Sequence, residues 1–85
     1  MAYSVSILPR AQKELAQIPN PTYTRIVTAI RALAQNPRPP GCVKLTNRPG
    51  WRIRVGGYRV VYNIDDPTQT VTVVNIAHRR DVYRT

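Results

Sequence analysis

Acidic side chains are scarce in this 85-residue chain: Glu14, Asp65, Asp66 and Asp81 stand against thirteen lysines and arginines, a formal net charge of +9. That imbalance points to a polyanionic partner, whether nucleic acid, an acidic protein segment or a membrane surface. Cysteine occurs once, as Cys42, which excludes an internal disulfide. One histidine and four scattered acids make no metal-ligand set, and Asp65 and Asp66 are accounted for as turn residues before Pro67. Chemistry without a metal or a small-molecule cofactor is expected. No apolar run approaches the ~20 residues of a membrane span. The opening MAYSVSIL has neither the charged nor the apolar region of a signal peptide, so no membrane association and a cytoplasmic location are expected.

What is abundant is arginine. Eleven of the thirteen basic residues are Arg, with only Lys13 and Lys44 as lysines. Guanidinium is the group that forks onto phosphate and stacks on bases, which places nucleic acid ahead of membrane. The content of Val, Ile, Leu and Tyr argues for a folded chain, and the length for a single domain, residues 1–85, with a thin core.

Patterning supplies the elements. AYSVSIL alternates Tyr3, Val5 and Ile7 with small or polar residues, the period of a half-buried strand, until Pro9. Ala11, Leu15 and Ile18 then follow at helical spacing up to Pro19. Tyr23, Ile26, Val27, Ile30, Leu33 and Ala34 form a second helical stripe, ended by NPRPPG. Strand-like segments follow around 42–46, 51–55, 58–64 and 70–77, separated by the turn signals NRPG, GG and DDPTQ. An α+β domain is expected: an antiparallel-rich sheet carrying an N-terminal αα-hairpin on one face. The last strand, apolar on both faces, is expected in the middle of that sheet.

In WRIRVGGYRVVY, a two-residue turn at Gly56-Gly57 pairs Val55 with Tyr58, Arg54 with Arg59, Ile53 with Val60, Arg52 with Val61 and Trp51 with Tyr62. Alternation then puts the aromatic and aliphatic side chains on one face and Arg52, Arg54 and Arg59 on the other. Opposed like charges cost about 0.2 to 1 kcal/mol. With four acids in the chain, an ordinary solvated face of paired arginines is largely unavailable, and the charge reads as kept for a function. The tail AHRRDVYR delivers His78, Arg79, Arg80 and Tyr83 to the end of the sheet.

These segments together resemble the bacterial and archaeal RelE/ParE toxin superfamily of type II toxin–antitoxin systems. The resemblance rests on RIRVGGYRVVY and HRRDVYR, with AQKELAQIP and RIVTAIRALAQNPRPPGCVKL upstream, and covers essentially the whole chain. It implies a four-stranded sheet in the order β-α-α-β-β-β. For RelE-like members it implies a ribosome-dependent, metal-independent endoribonuclease that cleaves messenger RNA in the A site, inhibiting translation. The implied partners are a cognate acidic antitoxin and the 70S ribosome with its A-site message. The alternative is a ParE-like toxin, noncatalytic, that binds and poisons DNA gyrase; a noncatalytic nucleic-acid or antitoxin-binding module is a third class.

Matched by motif, the resemblance assigns catalysis to Arg54, Arg59, Arg79 and Tyr83. RNA and phosphate binding falls to Arg52, Arg48, His78 and Arg80. Many relatives carry an acidic residue where this chain has Gly57, a departure expected to affect the turn more than the chemistry. Metal-free RNA cleavage requires deprotonation of the 2′-OH, stabilisation of the phosphorane charge and protonation of the leaving 5′-oxygen. A two-imidazole solution is impossible with one His, so clustered guanidiniums, Arg59 and Arg79 foremost, would meet the phosphorane. Tyr83 is a candidate base, or a platform on which a nucleobase stacks, and His78 is a further candidate base.

Overall fold

Strand β1 (Ser4–Ile7) leads directly into helix α1 (Pro9–Ala16), and α2 (Thr22–Ala32) follows after a short loop. The remaining elements are β2 (Val43–Lys44), β3 (Trp51–Val55), β4 (Tyr58–Asp65) and β5 (Thr70–His78). The computed structural model describes residues 2–78 of the chain. Arg79, Arg80 and Tyr83 lie outside those residues, and so do the roles expected of them.

Local chemistry explains the helices. Proline at the first turn of α1 has no N–H to leave unpaired, and Ala11 and Leu15 turn inward one helical turn apart. At the start of α2 the Asn20 side-chain oxygen accepts from the Thr24 backbone N–H (3.2 Å) and hydroxyl (2.7 Å). Ile26, Ile30 and Leu33 of this segment are buried together with Ala11, Leu15 and Ile18 against Ile53, Val60, Tyr62, Val71, Val73 and Ile76 of the sheet. The expected αα-hairpin therefore covers one sheet face, and the core lies between the two layers.

The sheet has five strands, in the order β1-β5-β4-β3-β2, where four were expected. The added strand is short: Val43 pairs with Arg52 and Lys44 with Trp51, antiparallel to β3. Two residues suffice because the proline-rich approach and the loop after Lys44 allow no longer run. β4, not the last strand, occupies the middle, while β5 is interior between β4 and a parallel β1.

The apolar character of β5 on both faces has a second cause besides its interior position. Val61 lies opposite Asn75 but Tyr62 opposite Val73, so Val74 is the extra residue of a β-bulge. Side-chain parity switches there. Val71 and Val73 before the bulge and Ile76 after it all reach the same helix-covered core. A strand that changes faces midway carries apolar residues at odd and at even positions.

One further tie secures the sheet to the loop after α2. Tyr62, 0% exposed, donates its hydroxyl to the buried Pro37 carbonyl at 2.8 Å, and burial pushes this phenol's pKa up. The Arg38 guanidinium lies 5.1 Å over the Trp51 ring and 2.9 Å from the Asp66 carboxylate. Asp66 also accepts from the Tyr3 hydroxyl at 2.6 Å. Arg38 first, and Tyr3 second, hold the Asp66 carboxyl below the usual carboxylate range.

Candidate functional site

The hairpin forms with the register that its sequence dictates. Arg54 pairs with Arg59, Arg52 with Val61 and Ile53 with Val60. Cross-strand partners share a face, so Arg52, Arg54 and Arg59 project together, away from the helix-covered core. Continuing across β4 into β5, Arg59 pairs with Ala77 and Val61 with Asn75, which extends the same face to the end of β5. The turn itself has a positive φ at Gly56 (60°) and not at Gly57, the pattern of a type II′ closure.

A cleft of about 790 Å³ opens at this end of the sheet. Its floor carries Arg59, Val61 and Ala77; Arg10 and Glu14 of α1 stand on one side, and Arg48, Tyr58 and His78 complete the lining. Among the described residues, three guanidiniums thus face one carboxylate. Arg59 is half-buried, and its Nε, shielded from solvent, has no hydrogen-bond partner among the described residues. A buried donor of this kind is costly to leave unpaired, and an incoming anion would satisfy it. Arg48 reaches the cleft from the loop 45–50, which is closed by the Leu45 N–H donating to the Gly50 carbonyl at 3.0 Å. Gly50 (φ 118°) lies so close to β4 that a β-carbon there would sit 2.9 Å from Asn63 Oδ1 and 3.2 Å from the Tyr62 carbonyl oxygen.

The structure brings Arg48, Arg59 and His78 into one cleft. Arg52 and Arg54 stand on the same face one strand away, outside the lining, with Arg54 exposed and Arg52 half-buried. Their position suits contact with a longer polyanion running across the sheet rather than with one group inside the cleft. His78 pairs with Tyr58, so its side chain belongs to the opposite parity from Arg59 and enters the cleft at the sheet's end. The two rings meet edge-on, 5.2 Å between centroids at 90°. Among the described residues no group of His, Cys, Asp and Glu is arranged to hold a metal ion.

Arg10 and Glu14 were not singled out by sequence reasoning. Glu14 accepts from the Ile76 backbone N–H at 2.8 Å and from Asn75 Nδ2 at 3.0 and 3.1 Å. β1 ends its ladder where the Leu8 N–H donates to the Val73 carbonyl, and the Glu14 carboxylate takes over the open edge of β5 beyond that point. Arg10 Nε lies 3.5 Å from the same carboxylate. The available signal was the isolation of Glu14: it is the lone acid before residue 65, flanking the buried stripe of a helix in a strongly basic chain.

The family model described as "ParE toxin of type II toxin-antitoxin system, parDE" matches residues 5–83. Toxin RelG of Mycobacterium tuberculosis is 31% identical over 86 residues, 99% of this chain and 99% of its own. Among solved structures, the toxin–antitoxin complex RelBE2 of M. tuberculosis is similar with TM-score 0.82 and 26% identity, covering 93% of each chain. The archaeal RelE–RelB complex of Pyrococcus horikoshii gives TM-score 0.83 and 26% identity, over 93% of this chain and 97% of that one. The intact RelBE complex of E. coli gives 0.79 and 25%, over 91% and 96%. With the fold, the arginine hairpin and these similarities in agreement, the chain belongs to the ParE toxin family of type II toxin–antitoxin systems, within the RelE/ParE superfamily and on its RelE-like side.

Proposed function

We propose that this toxin is a ribosome-dependent endoribonuclease that cleaves messenger RNA in the A site without a metal ion. The observation that carries the proposal is the buried Nε of Arg59, unpartnered among the described residues, in a cleft that also holds Arg10 and Arg48. Attack of the 2′-oxygen on phosphorus puts an extra negative charge on the phosphorane, and preorganised donors in a shielded site stabilise it without reorganising. Arg59 is assigned to that charge together with Arg79. Arg48, Arg52, Arg54 and Arg80 hold the flanking backbone, and Tyr83 contacts the RNA at the chain's end.

A chain with this charge needs silencing, and RelB accompanies the RelE toxins of P. horikoshii and E. coli in their structures. An acidic cognate antitoxin is accordingly part of the proposal. Complementary charge would draw it to the arginine face, and its binding would raise the toxin's apparent stability by mass action.

Primer extension on translating ribosomes tests the activity. Cuts inside A-site codons are expected with the wild-type toxin, and Arg59→Ala is expected to lower the cleavage rate about 10²- to 10³-fold, the cost of one oxyanion-type donor. The matching family is described as ParE toxin, and for ParE-like members the resemblance drawn from the sequence implies a second function, gyrase poisoning. Intact message together with gyrase-linked DNA breaks would establish it in place of the first.

A further inference from the structure

Among the described residues, the cleft is lined by three ionisable groups besides its arginines: Glu14, Tyr58 and His78. Guanidinium holds its protons at neutral pH, so none of the arginines takes the 2′-OH proton. Glu14 is committed to the edge of β5, where it accepts from Ile76 N–H and Asn75 Nδ2. Imidazole is the side chain that ordinarily changes protonation between about pH 5 and 8.

The two turn glycines serve different purposes, and the second bears on this imidazole. At Gly56 the backbone has φ 60°, and a β-carbon would meet nothing within 4 Å; glycine is there for its conformation. At Gly57 no positive φ demands glycine, but a β-carbon would lie 3.0 Å from His78 Nε2 and 3.5 Å from Cδ2. The imidazole is thus wedged between the Gly57 α-carbon and the Tyr58 ring. A β-carbon at 57 would require the ring to give way by a few tenths of an ångström. The departure at Gly57 therefore bears on the placement of a ring that lines the cleft as well as on the turn.

We infer that His78 is the general base of the cleavage reaction, held in place by Gly57 and Tyr58, an inference that rests on the ribonuclease proposal above. A ring nitrogen accepts the 2′-OH proton as the O2′–P bond forms. The P–O5′ bond breaks, and the departing 5′-oxygen takes a proton from water. The products are a 2′,3′-cyclic phosphate and a 5′-hydroxyl end, and the hydroxide left behind recovers the proton from the imidazolium. Arg59 and Arg48, in the same cleft, meet the phosphate. Gly57 is a positioning residue: it touches no substrate and acts through the placement of the ring.

The experiment is steady-state cleavage of A-site message by the purified toxin, with antitoxin binding as the check on folding. His78→Gln is expected to lower kcat about 10²- to 10⁴-fold with KM little changed, the range for loss of a general base. His78→Gly is expected to regain activity when imidazole is added to the buffer, a response that a merely structural histidine would not give. Gly57→Ala, which the backbone tolerates, is expected to lower kcat and leave KM in place. Cleavage by His78→Gln at the wild-type rate, or no response of His78→Gly to imidazole, overturns the assignment of the base. A wild-type toxin that leaves message intact refutes instead the ribonuclease proposal on which it rests.

Discussion

Replacing Glu14 by Ala separates two roles of one carboxylate. The Ile76 N–H, 2.8 Å from Glu14 Oε1, would lose its acceptor on a strand edge that β1 no longer covers. A hydrogen bond to a charged group contributes about 1.5–3 kcal/mol. The Asn75 amide, half-buried, turns to water at small cost, and the Arg10 pair contributes little because Arg10 is 76% exposed. Alanine's better helix propensity returns a few tenths of a kcal/mol. The sum is about 2 kcal/mol, which in a domain of this size lowers Tm by roughly 8–16 °C. Affinity for RNA moves the other way. Among the described residues Glu14 is the one carboxylate lining a cleft with three guanidiniums, so its removal tightens single-stranded RNA binding and steepens the dependence on salt. Thermal melts by circular dichroism and a fluorescence-anisotropy titration at two salt concentrations read both effects. A variant that melts with the wild type would show that the carboxylate does not support the β5 edge. One that melts early but binds RNA more weakly would show that the cleft is not where the polyanion sits.

Tyr62→Phe leaves the buried Pro37 carbonyl without its donor and is expected to cost about 1–3 kcal/mol, seen as a lower midpoint in urea with an unchanged m-value. Asp66, held low by Arg38 and Tyr3, supplies stability above the unfolded Asp value of ~3.9. That stability is lost as pH falls through the lower folded value. Because the pair is exposed the effect is small: thermal melts of wild type and Asp66→Asn are expected to differ near neutrality and to converge in acid. Arg54→Thr relieves the repulsion with Arg59 across the hairpin and is expected to raise stability by about 0.2–1 kcal/mol while weakening RNA binding. A variant that gains stability without losing affinity would remove Arg54 from the RNA-contacting surface.

Much of the hairpin and its charged face was legible in the linear chain. A glycine pair centred between two alternating segments admits one two-residue closure, and that closure dictates which residues oppose each other and which face each occupies. The helices were legible too, since prolines bound them and the inward residues recur with the helical period. Local rules of this kind act over a few residues, and for that reason a sequence displays them.

The amino-acid sequence by itself therefore determined the element types, the hairpin register and the segregation of Arg52, Arg54 and Arg59 from the core. Only the tertiary structure decided that Val43–Lys44 joins the sheet, that a bulge at Val74 redirects β5, and that Glu14 caps a strand 62 residues away. It alone decided that the ring of His78 occupies the space a side chain at Gly57 would need. These features arise from contacts between segments far apart along the chain, formed when a sheet edge, a helix flank and a turn come to occupy the same volume. No periodicity records such meetings, because each side satisfies its own local pattern whether or not the other is present.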